Sequence, residues 1–199
     1  MNVVYRGVSN PFTISFAGIA ANKVSAKTPG LKKGKTVTEK GRKKTLNGPS
    51  DYELDLTQLP KELRGKTRVD IVVTGELPSG ERVVSKVPFR IKPLPTPFGS
   101  LDKRNPETVT KSELKTSTVT ATFGQDFDFD LPLRVQGFKI TIEGEGSYLC
   151  EGSELSGPAK RAIDRARRNS LVRVSEIRTR ALGSSTEVNN ALPASFTLM

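Results

Sequence analysis

The chain has 199 residues, with 32 Lys and Arg against 21 Asp and Glu, a net charge of +11, no His, no Trp and one Cys. Without His there is no Ser-His-Asp triad, no Cys-His pair and no His-bearing zinc site, and Cys150 alone forms neither an intramolecular disulfide nor a CxxC redox pair. A hydrophobic fraction of 35% with 13 Pro and 17 Gly fits short-stranded, loop-rich β-domains better than an α/β enzyme, and the length allows one or two of them.

The opening MNVVYRGVSNPFTISF alternates like a strand and lacks the basic start and long apolar stretch of a signal peptide. No run approaches the ~18 apolar residues of a membrane span. Phe12 to Phe16 and Tyr52 to Leu56 read as strands. Val69, Ile71 and Val73 share one face, Leu77 to Gly80 supplies a turn, and Val87, Phe89 and Ile91 alternate against Lys86, Arg90 and Lys92. That pattern predicts a hairpin with one buried and one wet face. Strands at this spacing predict an immunoglobulin-like β-sandwich without the disulfide and core Trp of antibody domains.

The stretch Lys23 to Gly48 breaks the pattern, with nine basic residues and one acid between Lys23 and Lys44. It is predicted as a mobile hairpin arm or long loop. Its basic residues Lys32, Lys33, Lys35, Lys40, Arg42, Lys43 and Lys44 raise the alternative of a polyanion- or nucleic-acid-binding β-module, with salt-dependent affinity. No aromatic lies between Phe16 and Tyr52 to stack a base, so a solvated arm or a protein contact is the stronger reading.

Pro93, Pro95 and Pro97 alternate in KPLPTPFGS, fixing φ and removing backbone donors. This predicts a hinge, with a first domain over 1–92, a Pro-rich linker over 93–100 and a second β-rich domain over 101–199. In that second part Thr110 and Glu113 match a capping box at the start of a one-turn helix. Strands are expected at Thr118 to Phe123, Leu133 to Ile142, Leu171 to Arg180 and Ser195 to Met199. A helix is predicted from Pro158, at its first position, to Arg168, ended by Asn169 in αL geometry. Ala159, Ala162, Ile163 and Ala166 form its apolar stripe, leaving Lys160, Arg161, Arg165, Arg167 and Arg168 outward as a candidate partner-binding patch. The predicted class is mainly β: two β-rich domains in tandem, the second a sheet with one packed basic helix.

Asp126, Asp128 and Asp130 alternate, as a cation site on a strand would require. A calcium loop also needs a glycine-shaped turn and a distal bidentate acid, and both are missing. The favoured reading is a strand edge with Phe127 and Phe129 buried. Gly144 and Gly146 read as a hairpin turn, not a phosphate loop, since no Lys and Ser/Thr follow. Cys150 reads as a buried, inert thiol in a strand, with an intersubunit disulfide as the minority reading. No catalytic, metal or cofactor residue is assigned, and no enzyme activity is expected.

Three places resemble the C-terminal periplasmic part of the GldM/PorM family of the type IX secretion and gliding machinery. MNVVYRGVSNP followed by Phe12-Thr-Ile-Ser is similar to the entry into the family's third periplasmic domain. Phe89 to Pro97 with Gly99 looks like its Pro-rich step into the last domain. Phe127 to Asp130, then Lys160 to Ser170, resemble the last domain's strand and basic helix. The arm at Lys23 to Gly48 looks longer and more basic than the family pattern, so its role is not carried over.

The resemblance implies a dimeric, non-enzymatic shaft protein of the periplasm, of which this chain resembles a fragment starting at the third domain. An absent N-terminal helix would anchor the full-length protein in the inner membrane beside a motor protein of the GldL/PorL kind. The last domain would contact a ring of GldK/PorK and GldN/PorN kind at the outer membrane, with no specific nucleic acid and no small-molecule substrate.

Overall fold

The computed structural model describes residues 2–39, 42–125, 127, 129, 131–184 and 186–199, with Thr38, Glu39 and Arg42 as backbone alone. The chain forms two compact units. One runs to Leu94 and takes in Ser184 and Thr186; the other comprises Pro95–Gly183 and Glu187–Met199.

The first unit holds β1 (Val3–Tyr5), β2 (Ser9–Thr13), β3 (Val24–Lys27), β4 (Leu31–Lys33), β5 (Lys35–Glu39), β6 (Arg42–Leu46), β7 (Asp51–Asp55), β8 (Arg68–Glu76) and β9 (Arg82–Lys92). One sheet has the order β1-β9-β8-β3 and a second the order β2-β7-β4. Strands β8 and β9 form the predicted hairpin, pairing from Arg68 opposite Arg90 to Glu76 opposite Arg82. Val4, Val69, Ile71, Val73 and Ile91 from the first sheet are buried with Tyr52 and Leu54 from the second. Two sheets face to face over one apolar layer make a sandwich. With β5 and β6 set aside, its pairing is immunoglobulin-like: the fifth sandwich strand, β7, lies between the second, β2, and the fourth, β4, and the sixth, β8, lies between the third, β3, and the last, β9. Here the first strand lies parallel to the last instead of joining the opposite sheet.

Asn10 fastens the crossing from β1 to β2. Its side chain is buried, accepts from the Tyr5 N–H at 2.9 Å and donates to the carbonyls of Tyr5, Val8 and Leu54. A buried amide this fully bonded fixes the local path of the chain.

The Lys23–Gly48 stretch is not a long loop. It contributes β3 to one sheet and β4 to the other, and then an added hairpin, β5 with β6, between the fourth and fifth sandwich strands. Gly30 and Gly34 hold φ of 83° and 81° at the corners on either side of β4, where a side chain would be strained.

The second unit holds β10 (Phe98–Leu101), β11 (Thr108–Val109), α1 (Lys111–Thr116), β12 (Val119–Thr122), β13 (Leu133–Ile142), β14 (Gly146–Glu151), α2 (Gly157–Arg165), β15 (Leu171–Ala181) and β16 (Ala194–Leu198). The main sheet has the order β11-β16-β15-β13-β14, and β10 pairs with β12. Residues 93–97 carry no strand, but Phe98 to Leu101 do, so three residues expected in the linker belong to β10. The ladder begins as soon as the last proline has passed, because only the prolines lack donors.

The capping box is formed: Thr110 Oγ1 accepts from the Glu113 N–H at 3.2 Å, and the Glu113 carboxylate accepts from the Thr110 N–H at 2.9 Å. Helix α2 begins one residue before Pro158 and ends three residues before Arg168. Ala166 already has ψ 145°, which swings the chain so that the Asn169 N–H reaches the Leu198 carbonyl at 2.8 Å. Asn169 takes the expected left-handed turn, φ 67°. Ala159, Ala162, Ile163 and Ala166 are all buried with Phe138, Ile140, Phe196 and Leu198 of the sheet.

Two compensating bulges run through β13 and β15. Gln136 is the extra residue between Val135 and Gly137, and two residues of β15, Glu176 and Ile177, answer Phe138. Glu176 takes φ 51° there. The bulges aim Ile177 into the core, where it is fully buried.

Candidate functional site

No helix among the described residues is long and apolar enough to cross a membrane. Nor do the described residues hold a group of three or more Cys, Asp and Glu placed to grip a metal ion. Asp126, Asp128 and Asp130 lie outside the described residues. The expected strand edge around them is not formed at Phe127 and Phe129, which are half-buried outside any strand. Their rings instead meet in a tilted chain, Phe123 to Phe127 at 4.5 Å and Phe127 to Phe129 at 5.1 Å between centroids. Cys150 is buried, and its sulfur accepts from the Ser156 N–H at 3.3 Å.

The candidate surfaces are therefore charged faces. In the arm, the alternation of β7 decides where the lysines go. Tyr52 and Leu54 point into the core, so Asp51, Glu53 and Asp55 point out, toward the arm. Lys32 Nζ lies 2.9 Å from Asp55 and Lys35 Nζ 3.0 Å from Asp51. The Lys35–Asp51 pair is only 13% and 16% exposed, and Lys35 also donates to the Thr13 hydroxyl. Lys33 sits over the Tyr52 ring, 4.1 Å from its centre, and donates to the Pro49 carbonyl. Glu53 accepts from the Ser9 hydroxyl and from the Thr36 N–H.

These contacts show in the titration of the acids. The hydrogen bond from Lys35 holds the Asp51 carboxyl below the usual aspartate range. For Asp55, burial pushes upward, but the bonds from Thr57 and Lys32 outweigh it and the net direction is down. The same bond to Asp55, with its charge, raises Lys32. Lys43 and Lys44 are exposed on β6; Lys40 lies outside the described residues, and Arg42 is described by its backbone alone. Two of the arm's lysines, Lys32 and Lys35, are thus paired with the acids of β7, whose outward side the DYELD alternation marks in the sequence.

In the second unit, Arg161, Arg165, Arg167 and Arg168 are exposed and Lys160 is half-buried. Arg165 is not free. Its Nε and Nη2 both lie 2.9 Å from Glu145 in the turn between β13 and β14. Arg167 and Arg168 stand beyond the end of α2, and with Glu143, Glu145 and Ser170 they line an open depression of about 550 Å³. Glu143 accepts from the Leu171 N–H at 2.9 Å. Asp164 is taken by Lys115 of α1 at 2.6 Å. What remains for a partner is a rim of Arg161, Arg167 and Arg168 with no partner among the described residues, suited to carboxylates and not to chemistry. Of the hinge prolines, Pro93 is exposed, Pro95 half-buried and Pro97 buried, its carbonyl accepting from the Leu192 N–H at 2.8 Å.

No curated protein matches the chain. Among solved structures, it is similar to the fibronectin(III)-like modules of Clostridium thermocellum CbhA, at 12% identity over 100% of this chain and 88% of that one, TM-score 0.31. It is also similar to a Ca2+-stabilized, ice-binding adhesin of an Antarctic bacterium, at 14% identity over 96% of this chain and 48% of that one, TM-score 0.24. Likeness at those scores carries no weight for function. Two family models do: the GldM third domain matches residues 1–92, and the GldM C-terminal domain matches residues 92–198. The chain belongs to the GldM family and so to the machinery of gliding and type IX secretion.

Proposed function

We propose that this GldM-family chain is the periplasmic part of a dimeric shaft that passes force from an inner-membrane motor to an outer-membrane-associated ring. The observation that carries the reading is the tandem of third and C-terminal GldM domains, in that order, across the chain. The physical character of the two units supports it. Each is a β-rich body with an apolar core, a single cluster in the second unit and two clusters bridged by half-buried Phe12, Leu31 and Phe89 in the first, and the connection at 93–97 is restricted by three prolines. Such parts transmit load by contact and need no reacting group, so the role is non-enzymatic. Motor and ring would be proteins of the GldL/PorL and GldK/PorK, GldN/PorN kinds.

Ring contact falls to the second unit. Arg161, Arg167 and Arg168 offer guanidinium groups that pair with carboxylates and speed association with an acidic surface. The polyanion alternative is weakened by the arm itself, since Lys32 and Lys35 already face Asp55 and Asp51.

The test is a pull-down of the purified ring proteins by the chain and by a variant with Arg161, Arg167 and Arg168 changed to Glu, at two salt concentrations. Wild-type binding that weakens in the folded variant, mainly through slower association, supports the assignment. Equal binding by both removes the docking role from this rim. No binding by either removes the ring contact from the chain.

A further inference from the structure

Helix α2 packs against one face of the five-stranded sheet, and the opposite face is wet. Register places five basic residues on that outer face: Arg134 and Lys139 on β13, and Arg173, Arg178 and Arg180 on β15. Two of them are answered locally, Lys139 by Glu176 and Arg178 by Glu151. The other three have no hydrogen-bond or ion-pair partner among the described residues.

Arg134 and Arg180 moreover stand directly opposite each other across the β13–β15 ladder. Like charges in that position repel, and folding alone gives no reason to place them there. The same face exposes two leucines, Leu149 at 73% and Leu171 at 50%. Arginine with isolated apolar side chains is the composition of a protein interface. Among the described residues no aromatic lies on this face to stack a nucleobase, which disfavours nucleic acid as the occupant.

We infer that the outer face of this sheet is a second docking surface, on the other side of the sheet from α2, and that its occupant is a protein surface rich in Asp and Glu. Carboxylates placed over Arg134, Arg173 and Arg180 neutralise the repulsion within the ladder at the same time as they bind. The inference does not depend on α2 touching the ring.

It is tested in cells of the source organism with a photoreactive p-benzoylphenylalanine placed at Ser195, opposite Arg173 on the outer face, and in a separate strain at Arg161 on α2. The expected result from Ser195 is a cross-link to a protein whose joined peptide is rich in Asp and Glu. Its yield should fall at least about tenfold when Arg134, Arg173 and Arg180 are changed to Glu, and return when acids of that peptide are changed to Lys. A second variant with the three arginines changed to Gln guards against misfolding, because it relieves the Arg134–Arg180 repulsion and should be at least as stable. It too should lose the cross-link. No cross-link from Ser195, a lipid or nucleic-acid adduct, a peptide without acids, or a yield unchanged in the Gln variant would each overturn the inference. Loss of the Arg161 cross-link alone would count against the α2 docking proposed above and leave the sheet surface standing.

Discussion

The Arg178 guanidinium reaches Glu151 across the bare backbone of Gly137, with Nη2 3.2 Å from both carboxylate oxygens. The three residues lie in one row on β15, β13 and β14. A Cβ on Gly137 would sit 2.4 Å from that nitrogen and 3.0 Å from the Cys150 carbonyl oxygen. The ion pair itself is exposed and contributes little, about 0.2–1 kcal/mol. The backbone contact is stiffer. Gly137→Ala should therefore cost the second unit about 1–2 kcal/mol, more than Glu151→Ala, in urea unfolding followed by circular dichroism. Equal losses would show that the arginine, and not the carbonyl, sets the need for glycine.

Gly99 answers to a different neighbour. Its Cβ would fall 2.2 Å from Ile177 Cδ1 and 2.7 Å from the Leu192 carbonyl oxygen. Gly99→Ala should destabilise the second unit by about 1–3 kcal/mol through overpacking. Shortening the facing side chain, Ile177→Val, should recover part of the loss in the double variant, as coupled neighbours do. Strict additivity of the two changes would place the strain on the Leu192 carbonyl alone.

The Tyr52 hydroxyl is buried without a hydrogen-bond partner among the described residues. A stranded buried hydroxyl costs about 1–3 kcal/mol. Tyr52→Phe keeps the ring under Lys33 and should leave the first unit as stable or raise its unfolding midpoint. A clear loss of stability would reveal a partner for the hydroxyl.

Acid should act first on the contacts between the arm and β7. Asp51 and Asp55 both titrate below their ordinary range in the folded chain. A depressed folded value means that their contribution is complete above the ordinary aspartate value and disappears as pH falls through the lower, folded one. The first unit should hold its midpoint from neutral pH down to about 4 and lose it below. Asp51→Asn should flatten that acid limb while lowering stability at pH 7. An acid limb of unchanged steepness would assign the linkage to other carboxylates.

The parts legible in sequence were those where burial alternates with wet positions. Strands β8, β9, β13 and β15 and the apolar stripe of α2 all carry that contrast, while the capping box at Thr110 was legible from its Thr-x-x-Glu spacing alone. The arm escaped because its strands are bordered by lysine on both sides; the alternation of β7 tells that its acids face outward, but not that lysines 16 and 23 positions upstream meet them. Strands β1 and β11, three and two residues long, join their sheets in parallel and are too short to show a period. Helix α2 ends early for a tertiary reason, the capture of Asn169 by Leu198. The same limit hid the engagement of Arg165: charge pattern identifies an outward arginine, but only register brings Glu145 to it. Family membership was legible because it rests on the order of several short motifs along the chain.

The arm offers a last prediction, one that separates charge that is present from charge that is available. Formal charge alone gives Lys23 to Lys44 an excess of eight, enough to retain DNA at low salt. In the folded chain Lys32 and Lys35 lie against Asp55 and Asp51, and the field that a phosphate meets is that of the pair, not of the lysine. Purified chain should then bind double-stranded DNA weakly near physiological salt, with a shallow dependence of log affinity on log salt. Changing Asp51 and Asp55 to Asn keeps shape and leaves an amide oxygen to accept from Gly48 and Thr57, but frees two ammonium groups. The salt slope should steepen by up to about 2, since each phosphate neutralised adds about 0.9 to it. Circular dichroism shows whether the variant is folded, and Lys32→Gln with Lys35→Gln in the same background should bring the slope back. A steep slope in the wild-type chain that survives those two Gln changes would place polyanion binding elsewhere on the protein. An Asn variant that is folded and shows no steepening would show that the two carboxylates do not mask the arm.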